Sequence, residues 1–323
     1  MKDLINYSPA LWLDRKSIIN TPANELNQVF IDIEQDLAKV DFTEHLSIRY
    51  KHDRRKYEVL YAFGKDNILE IAQLDKAPIP SKERREFYGS TPTKYWMSGL
   101  SDALMLKELV KIYCQQPIKN MYEFGSSTAR VSRFFPILFP EVPKFYASDL
   151  NIHHVYWLEK FLSPLYSNYI PFVNTTLPQL PFPDNYLDLI YAGSVFSHSD
   201  HFENTWLLEL SRVMSPNGIC ILTTHTEKRW DQIKYQNNFR NKLLKRFNFS
   251  FEYGGYISDE IFNKPMKEGK VILYDKNYPS YNTMTFHKTS YIKNEWGKFF
   301  DIFDIIDGGH GMNQEAIILK KKA

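Results

Sequence analysis

The stretch Met121-Tyr-Glu-Phe-Gly-Ser-Ser-Thr-Ala-Arg130 has the pattern of a strand, a tight turn on one glycine and a helix start. Such a turn sets backbone N–H groups beside a ligand. Only Gly125 is a glycine; Ser126, Ser127 and Ala129 fill the neighbouring positions. A dinucleotide site needs G-x-G-x-x-G so that a pyrophosphate can lie on bare backbone. NAD is therefore disfavoured, and a ligand without a pyrophosphate is preferred. Glu123 adds a carboxylate at the strand end, which suits a ligand with a cationic amino group. Asp149 closes the next strand, where an acid can accept hydrogen bonds from both ribose hydroxyls of a nucleoside. His198 and His225 each follow a later strand. A histidine there can remove a proton from a substrate, because an unperturbed imidazole titrates near neutral pH.

These residues need rigid elements beneath them. Apolar runs at 120–124, 144–148, 169–173, 186–192 and 218–224 read as strands. Segments 102–113, 152–162 and 203–214 read as helices, and another runs from the glycine turn to residue 139. Strands alternating with helices imply βαβ units, so the fold class is α/β, Rossmann-like and doubly wound, with a mostly parallel sheet. Ligands of such sheets sit at the carboxyl ends of the strands. That edge carries Asp149, the loop from Ser194 to His198, and His225. Residues 296–306 and 315–319 read as two late strands around GGHGMN, a hairpin that makes the last strand antiparallel.

The chain divides near AQLDKAPIPSKERREFYG, whose prolines and charges resist regular structure. Residues 1–77 then form a small N-terminal α+β module, with a helix at 22–40 and short strands at 45–50, 57–63 and 68–74. Residues 78–323 form the α/β domain, interrupted at 226–295 by an insertion with a basic helix at 228–246 and strand-like pieces at 251–257 and 271–274. The basic face could meet an acidic or phosphorylated acceptor, although a solvated helix face is the simpler reading.

The chain has 323 residues, 43% hydrophobic and 24% charged, which excludes disordered, collagenous and disulfide-scaffold classes. The net charge of +2 gives no electrostatic reason to expect nucleic acid. Two cysteines, Cys114 and Cys220, cannot alone make a zinc site, and a reducing, cytoplasmic compartment is the simplest expectation. His198, Asp200 and His201 lie close together but lack further ligands, so no metal is expected. His153 and His154 fall in the first turn after Asp149 and read as surface residues. Tyr191, Tyr253, Tyr256, Tyr291 and Trp296 read as core, with an acceptor-pocket lining as the alternative. No run is apolar enough to span a membrane, and the start of the chain does not have the form of a signal peptide.

Four segments in order resemble the class I S-adenosylmethionine-dependent methyltransferases. EFGSSTARVSRFF resembles the first motif, E/D-x-G-x-G-x-G, with Ser127 and Ala129 where glycines are usual. ASDLN resembles the ribose-binding acid motif; LPFPDNYLDLIYAGSVFSH and ELSRVMSPNGICILTTH resemble the later strand motifs. The resemblance covers roughly residues 78–320 and implies S-adenosyl-L-methionine as cofactor. It implies cofactor contacts from Glu123, Gly125, Ser126, Ser127, Arg130, Asp149, Leu150, Asn174 and Ser194. The serines of the first motif could hydrogen-bond the methionine carboxylate. The SVFSH and TTH segments are similar to bacterial members that act on small molecules or glycans. The expected reaction is O-methylation of a small-molecule or glycan hydroxyl, with His198 or His225 as base and the insertion covering the substrate side. The alternative is a degenerate domain that binds or scaffolds without catalysis. Left-handed backbone at position 127 would cost a serine roughly 1–2 kcal/mol.

Overall fold

A computed structural model describes residues 28–29, 63–85, 88–200, 202–275, 278–310 and 313–322. Of the helix expected at 22–40 only Gln28–Val29 is described, and it is a two-residue strand paired antiparallel with Ile79–Pro80, not helix; the strands expected at 45–50 and 57–63 lie outside the described residues but for Phe63. Residues 68–74, expected as a strand, are helical: α1 spans Lys65–Leu74 and buries Ile68, Ile71 and Ala72. That spacing is the i, i+3, i+4 stripe of a helix, and it outweighs the local β-propensity of the isoleucines.

Helix α2, Pro92–Tyr113, starts a full ten residues before the expected start at 102. Its beginning is marked by Thr91, whose Oγ1 accepts the Lys94 amide at 3.2 Å, and by Pro92 in the first turn. The strands follow as β1 (Asn120–Phe124), β2 (Lys144–Asp149), β3 (Tyr169–Val173), β4 (Leu187–Ala192) and β5 (Met214–Thr226). Between them lie α3 (Phe135–Leu138), α4 (Ile152–Phe161) and α5 (Glu203–Val213). The order β3-β2-β1-β4-β5 is parallel throughout. Two late strands, β8 (Phe300–His310) and β9 (Gln314–Lys321), close the sheet, with β9 antiparallel to both β5 and β8.

Both faces of the sheet are covered, which is why its strands read as unbroken apolar runs. Met121, Leu189, Ile221 and Ile318 pack on one face with α1 and α2. Tyr122, Ile190, Leu222 and Ile317 pack on the other with α5. Segment 75–80 is tied to the domain by Arg133, whose guanidinium donates to Asp75 at 2.7 Å and 3.1 Å and to the carbonyl of Pro78.

The insertion departs from its expected form. The single basic helix is two, α6 (Glu227–Ile233) and α7 (Asn237–Arg246). Strand β6 (Lys270–Asp275) pairs antiparallel with an unforeseen β7 (Tyr278–His287), and α8 (Thr289–Glu295) leads back to β8. Strand β7 also joins the main sheet, parallel to the end of β5 through Phe286 opposite His225 and His287 opposite Thr226. Beneath that junction, His287 Nε2 lies 2.7 Å from the buried Glu203 carboxylate. Lys270 and the Trp296 indole N–H approach the same carboxylate at 3.3 Å and 3.0 Å. Burial alone would raise the Glu203 pKa, but His287, Lys270 and Trp296 hold it below the usual carboxylate range. Among the described residues no helix is long and apolar enough to cross a membrane.

Candidate active site

The turn after β1 is left-handed at every second residue: Gly125, Ser127 and Ala129 have φ of 76°, 48° and 56°. These are the positions where the resemblance implies glycines, so the backbone path persists without two of them. Each non-glycine residue there carries roughly 1–2 kcal/mol of steric cost. A web of backbone bonds holds the loop. The amides of Gly125 and Ser126 both donate to the Ser148 carbonyl, at 2.9 Å and 2.8 Å. The Ser127 amide donates to Asp149 Oδ2 at 2.7 Å, and the Ala129 amide to the Ser126 carbonyl. The sequence reading expects these N–H groups beside a ligand; the chain itself takes them up. No long helix follows either, because Ser132–Phe134 is a 3-10 turn that leads into the one-turn α3. Gly125 has a second role, since a Cβ there would collide with Val195 in the loop after β4.

Asp149 sits at the end of β2, and its Oδ1 also accepts the Asn151 amide at 2.8 Å. Burial opposes its ionisation, but His154 and these two amides hold its pKa below the ordinary value. His154 is not the surface residue expected from sequence. It is 4% exposed, and its Nδ1 lies 3.4 Å from Asp149. Leu150 next to Asp149 is half-buried.

Glu123 is buried at the end of β1, and its Oε2 has no hydrogen-bond partner. Burial pushes its carboxyl up to about 8, against the opposing pull of Ser132 and Arg130. Asn174, just past β3, is buried with its Oδ1 also lacking a partner. Asn174 Oδ1 is a hydrogen-bond acceptor near the carboxyl edge of the sheet, and Glu123 becomes one when a cationic N–H group favours its carboxylate, so both fit a ligand that brings N–H donors.

Arg130, expected to touch the cofactor, turns instead toward α2. Its Nη1 lies 2.6 Å from Asp102, and the Tyr88 ring covers the guanidinium at 3.9 Å. His310 Nε2 accepts from the same guanidinium at 3.4 Å, while its Nδ1 lies 2.6 Å from the Tyr191 hydroxyl. Asp102 and His310 escaped the sequence reading because their partners are distant in the chain.

Beyond β4 and β5 the two expected histidines come together with the insertion. His198 lies in the 3-10 turn Phe196–His198, and its Nδ1 is 2.6 Å from the carbonyl of Thr283 on β7. His225 lies near the end of β5, and its Nδ1 is 2.9 Å from the carbonyl of Asn313. A carbonyl can only accept, so both rings carry their proton on Nδ1 and present Nε2 as an acceptor. Burial lowers both pKa values, His225 to about 3, with Arg229 adding to the shift at His225 and Arg246 at His198.

Ser194 has φ 65° and is fixed on both sides: its amide donates to Thr223 Oγ1 at 2.8 Å, and its hydroxyl accepts from Gln314 Nε2 at 2.6 Å. Gln314 also reaches Ser197 at 3.2 Å and accepts from Thr223 at 2.6 Å. Sequence reading missed it; the available signal was a polar residue immediately before an apolar closing strand. Among the described residues no cluster of three or more His, Cys, Asp or Glu side chains could hold a metal.

Residues 123–222 match the family model described as a methyltransferase domain. The chain is similar to the solved PH0226 protein of Pyrococcus horikoshii, at 16% identity over 69% of this chain and 91% of that one, with a TM-score of 0.46. An S-adenosylmethionine-dependent methyltransferase of Clostridium acetobutylicum gives 11% identity, 71% and 92% coverage and 0.46. The glycopeptide N-methyltransferase MtfA complexed with S-adenosylmethionine gives 10%, 70%, 95% and 0.46. A search of curated proteins by sequence finds no match. The matched segment runs from Glu123 through the glycine turn, Asp149 and the His198 loop to Leu222, and so spans the strands that build the site. Segment 123–222 is thus similar to a methyltransferase domain, and S-adenosylmethionine is the methyl donor this similarity implies.

Proposed function

We propose that the domain methylates a hydroxyl of a small-molecule or glycan acceptor, with His198 as the base and His225 orienting the acceptor. The observation that carries this reading is the pair of imidazoles whose Nδ1–H groups are fixed on backbone carbonyls and whose Nε2 atoms remain open. S-adenosylmethionine supplies a methyl on a sulfonium, which departs as a neutral sulfide and needs no acid. The chain must then align the acceptor oxygen, for which orientation supplies up to about 7–11 kcal/mol. It must also take the hydroxyl proton, a contribution of about 10²–10⁴-fold. His225, at about 3, is a poor proton acceptor near neutral pH but a competent hydrogen-bond acceptor. His198 Nε2 is left for the proton.

For the donor, Glu123 is assigned the ammonium of the methionine part, Asp149 the ribose hydroxyls and Asn174 the adenine. Gly125, Ser126, Ser127, Leu150 and Ser194 line the same side. Arg130 supports the loop through Asp102 rather than touching the donor.

The test is transfer of labelled methyl from S-adenosylmethionine to a panel of sugars, phenols and amines, with products resolved by mass spectrometry. Label on oxygen is expected, and His198→Ala should lower kcat by about 10²–10⁴-fold with S-adenosylhomocysteine affinity unchanged. Transfer to nitrogen only, or full activity in His198→Ala, overturns the reading.

A further inference from the structure

Arg229 is set into the insertion one turn into α6, four residues after His225. It is 4% exposed, yet no carboxylate among the described residues comes within ion-pair distance of it. Its Nη1 donates to Gln232 and Gln236, at 3.3 Å and 3.0 Å, and the Phe239 ring lies 4.2 Å from the guanidinium carbon. Its Nε is buried with no hydrogen-bond partner. Two other buried arginines are ion-paired, Arg130 with Asp102 and Arg133 with Asp75, while the equally buried Arg85 donates its Nε to the carbonyl of Pro80 and so leaves no unpartnered Nε. A buried cation without a direct ion pair is costly, and the desolvation of Arg229 is opposed only by the more distant charge of Glu315. Burial accordingly lowers its pKa to about 10, still fully protonated near neutral pH. Its fork is held in shape by two glutamines and an aromatic face, which is how a guanidinium is prepared for a two-oxygen anion.

We propose that Arg229 binds an anionic oxy group, carboxylate or phosphate, carried by the methyl acceptor beside the hydroxyl that His198 deprotonates. This rests on the acceptor reading above. The surroundings agree in sign. Arg229 acts electrostatically on His225 and Arg246 on His198, and Glu315, whose carboxyl burial pushes up to about 7, offsets Arg229 only in part, so this side of the site keeps a cationic balance near its bases. An acceptor that brings its own anion offsets that charge, and the bidentate contact fixes its orientation against His225.

The test uses the full chain saturated with S-adenosylhomocysteine, whose binding is first measured by calorimetry. The Arg229 Nε–H resonance is then followed by ¹H–¹⁵N NMR during titration with inorganic phosphate and, separately, with benzoate, at ionic strength held constant with chloride. A saturating shift with phosphate alone assigns a phosphorylated acceptor, with benzoate alone a carboxylated one. Either shift supports the proposal, and so does a loss of anion affinity of tenfold or more in Arg229→Met. Arg229→Lys keeps the charge without the fork and should bind the anion more weakly than the wild type. Lys242→Ala, on the exposed side of α7, should leave the response unchanged. No saturable shift with either anion overturns the proposal, as does anion binding retained in a folded Arg229→Met. Failure of S-adenosylhomocysteine to bind would instead strike the methyltransferase reading, so the two failures are separable.

Discussion

On the donor side, where β1 and β2 end, the backbone amides are taken up within the chain, and the atoms left open are oxygens, Glu123 Oε2 and Asn174 Oδ1. On the acceptor side, beyond β4 and β5, the open atoms are nitrogens: the Nε2 of His198 and of His225, and Arg229 Nε. One side asks for a ligand rich in N–H donors; in the function proposed above, the other asks for a hydroxyl and an anion. The donor side also holds backbone strain at Ser127 and Ala129, offset by the bonds of the loop. A site for one constant ligand can be built rigid, while a site that defines specificity depends on side chains whose partners come from the substrate.

The contrast breaks most visibly at Asp102. Asp102→Ala leaves Arg130 buried without its carboxylate, and a loss of about 3–5 kcal/mol in denaturant unfolding is expected. If stability hardly changes, the donor side is not the rigid half. Asp149→Ala comes next. It orphans the amides of Ser127 and Asn151, for a loss of about 2–3 kcal/mol. S-adenosylhomocysteine binding in calorimetry should weaken by about 100-fold or more, the equivalent of two lost hydrogen bonds.

Glu123 sharpens the comparison through pH. Its folded pKa of about 8 lies above its unfolded value of 4.5, so the folded state binds the extra proton. Stability therefore falls as pH rises from about 4.5 to about 8, by up to about 1.4 kcal/mol per unit. A ligand ammonium favours the carboxylate, so cofactor affinity should rise over the same interval. Melting curves and calorimetry across pH 5–9 check both trends, and Glu123→Gln should flatten them. The smallest effect is at the turn. Ser127→Gly removes the side chain from left-handed backbone and should gain about 1 kcal/mol or less, since glycine also loosens the unfolded chain. A destabilised Ser127→Gly would mean that the serine side chain, not the backbone path, holds the loop. His225→Asn on the acceptor side should shift the melting temperature little while lowering activity.

The sheet was legible because its strands are buried on both faces: β1 and β3 have the expected bounds, and β2 and β4 differ by one residue. Gly125, Asp149, His198 and His225 stood at strand ends and could be found by position alone. The insertion was not legible. Helices α6 and α7 read as one helical run, because the break between them carries no proline or glycine. Strand β7 carries polar residues between its apolar ones, and its burial depends on β5 and β6 rather than on local pattern. The contacts of Arg130 were not legible, because its partners, Asp102 on α2 and His310 on β8, are joined to it only by the fold.

The junction between β7 and the end of β5 bears on how acceptor preference can change. The insertion continues the sheet backbone past His225 and Thr226, and Glu203 anchors His287 and Lys270 beneath it. Exchanging the insertion with that of another enzyme would sever this ladder and leave Glu203 buried without His287 and Lys270. In the proposed reading, new acceptors are therefore reached by replacing single side chains at the site, such as Arg229, rather than by transplanting the module that carries them.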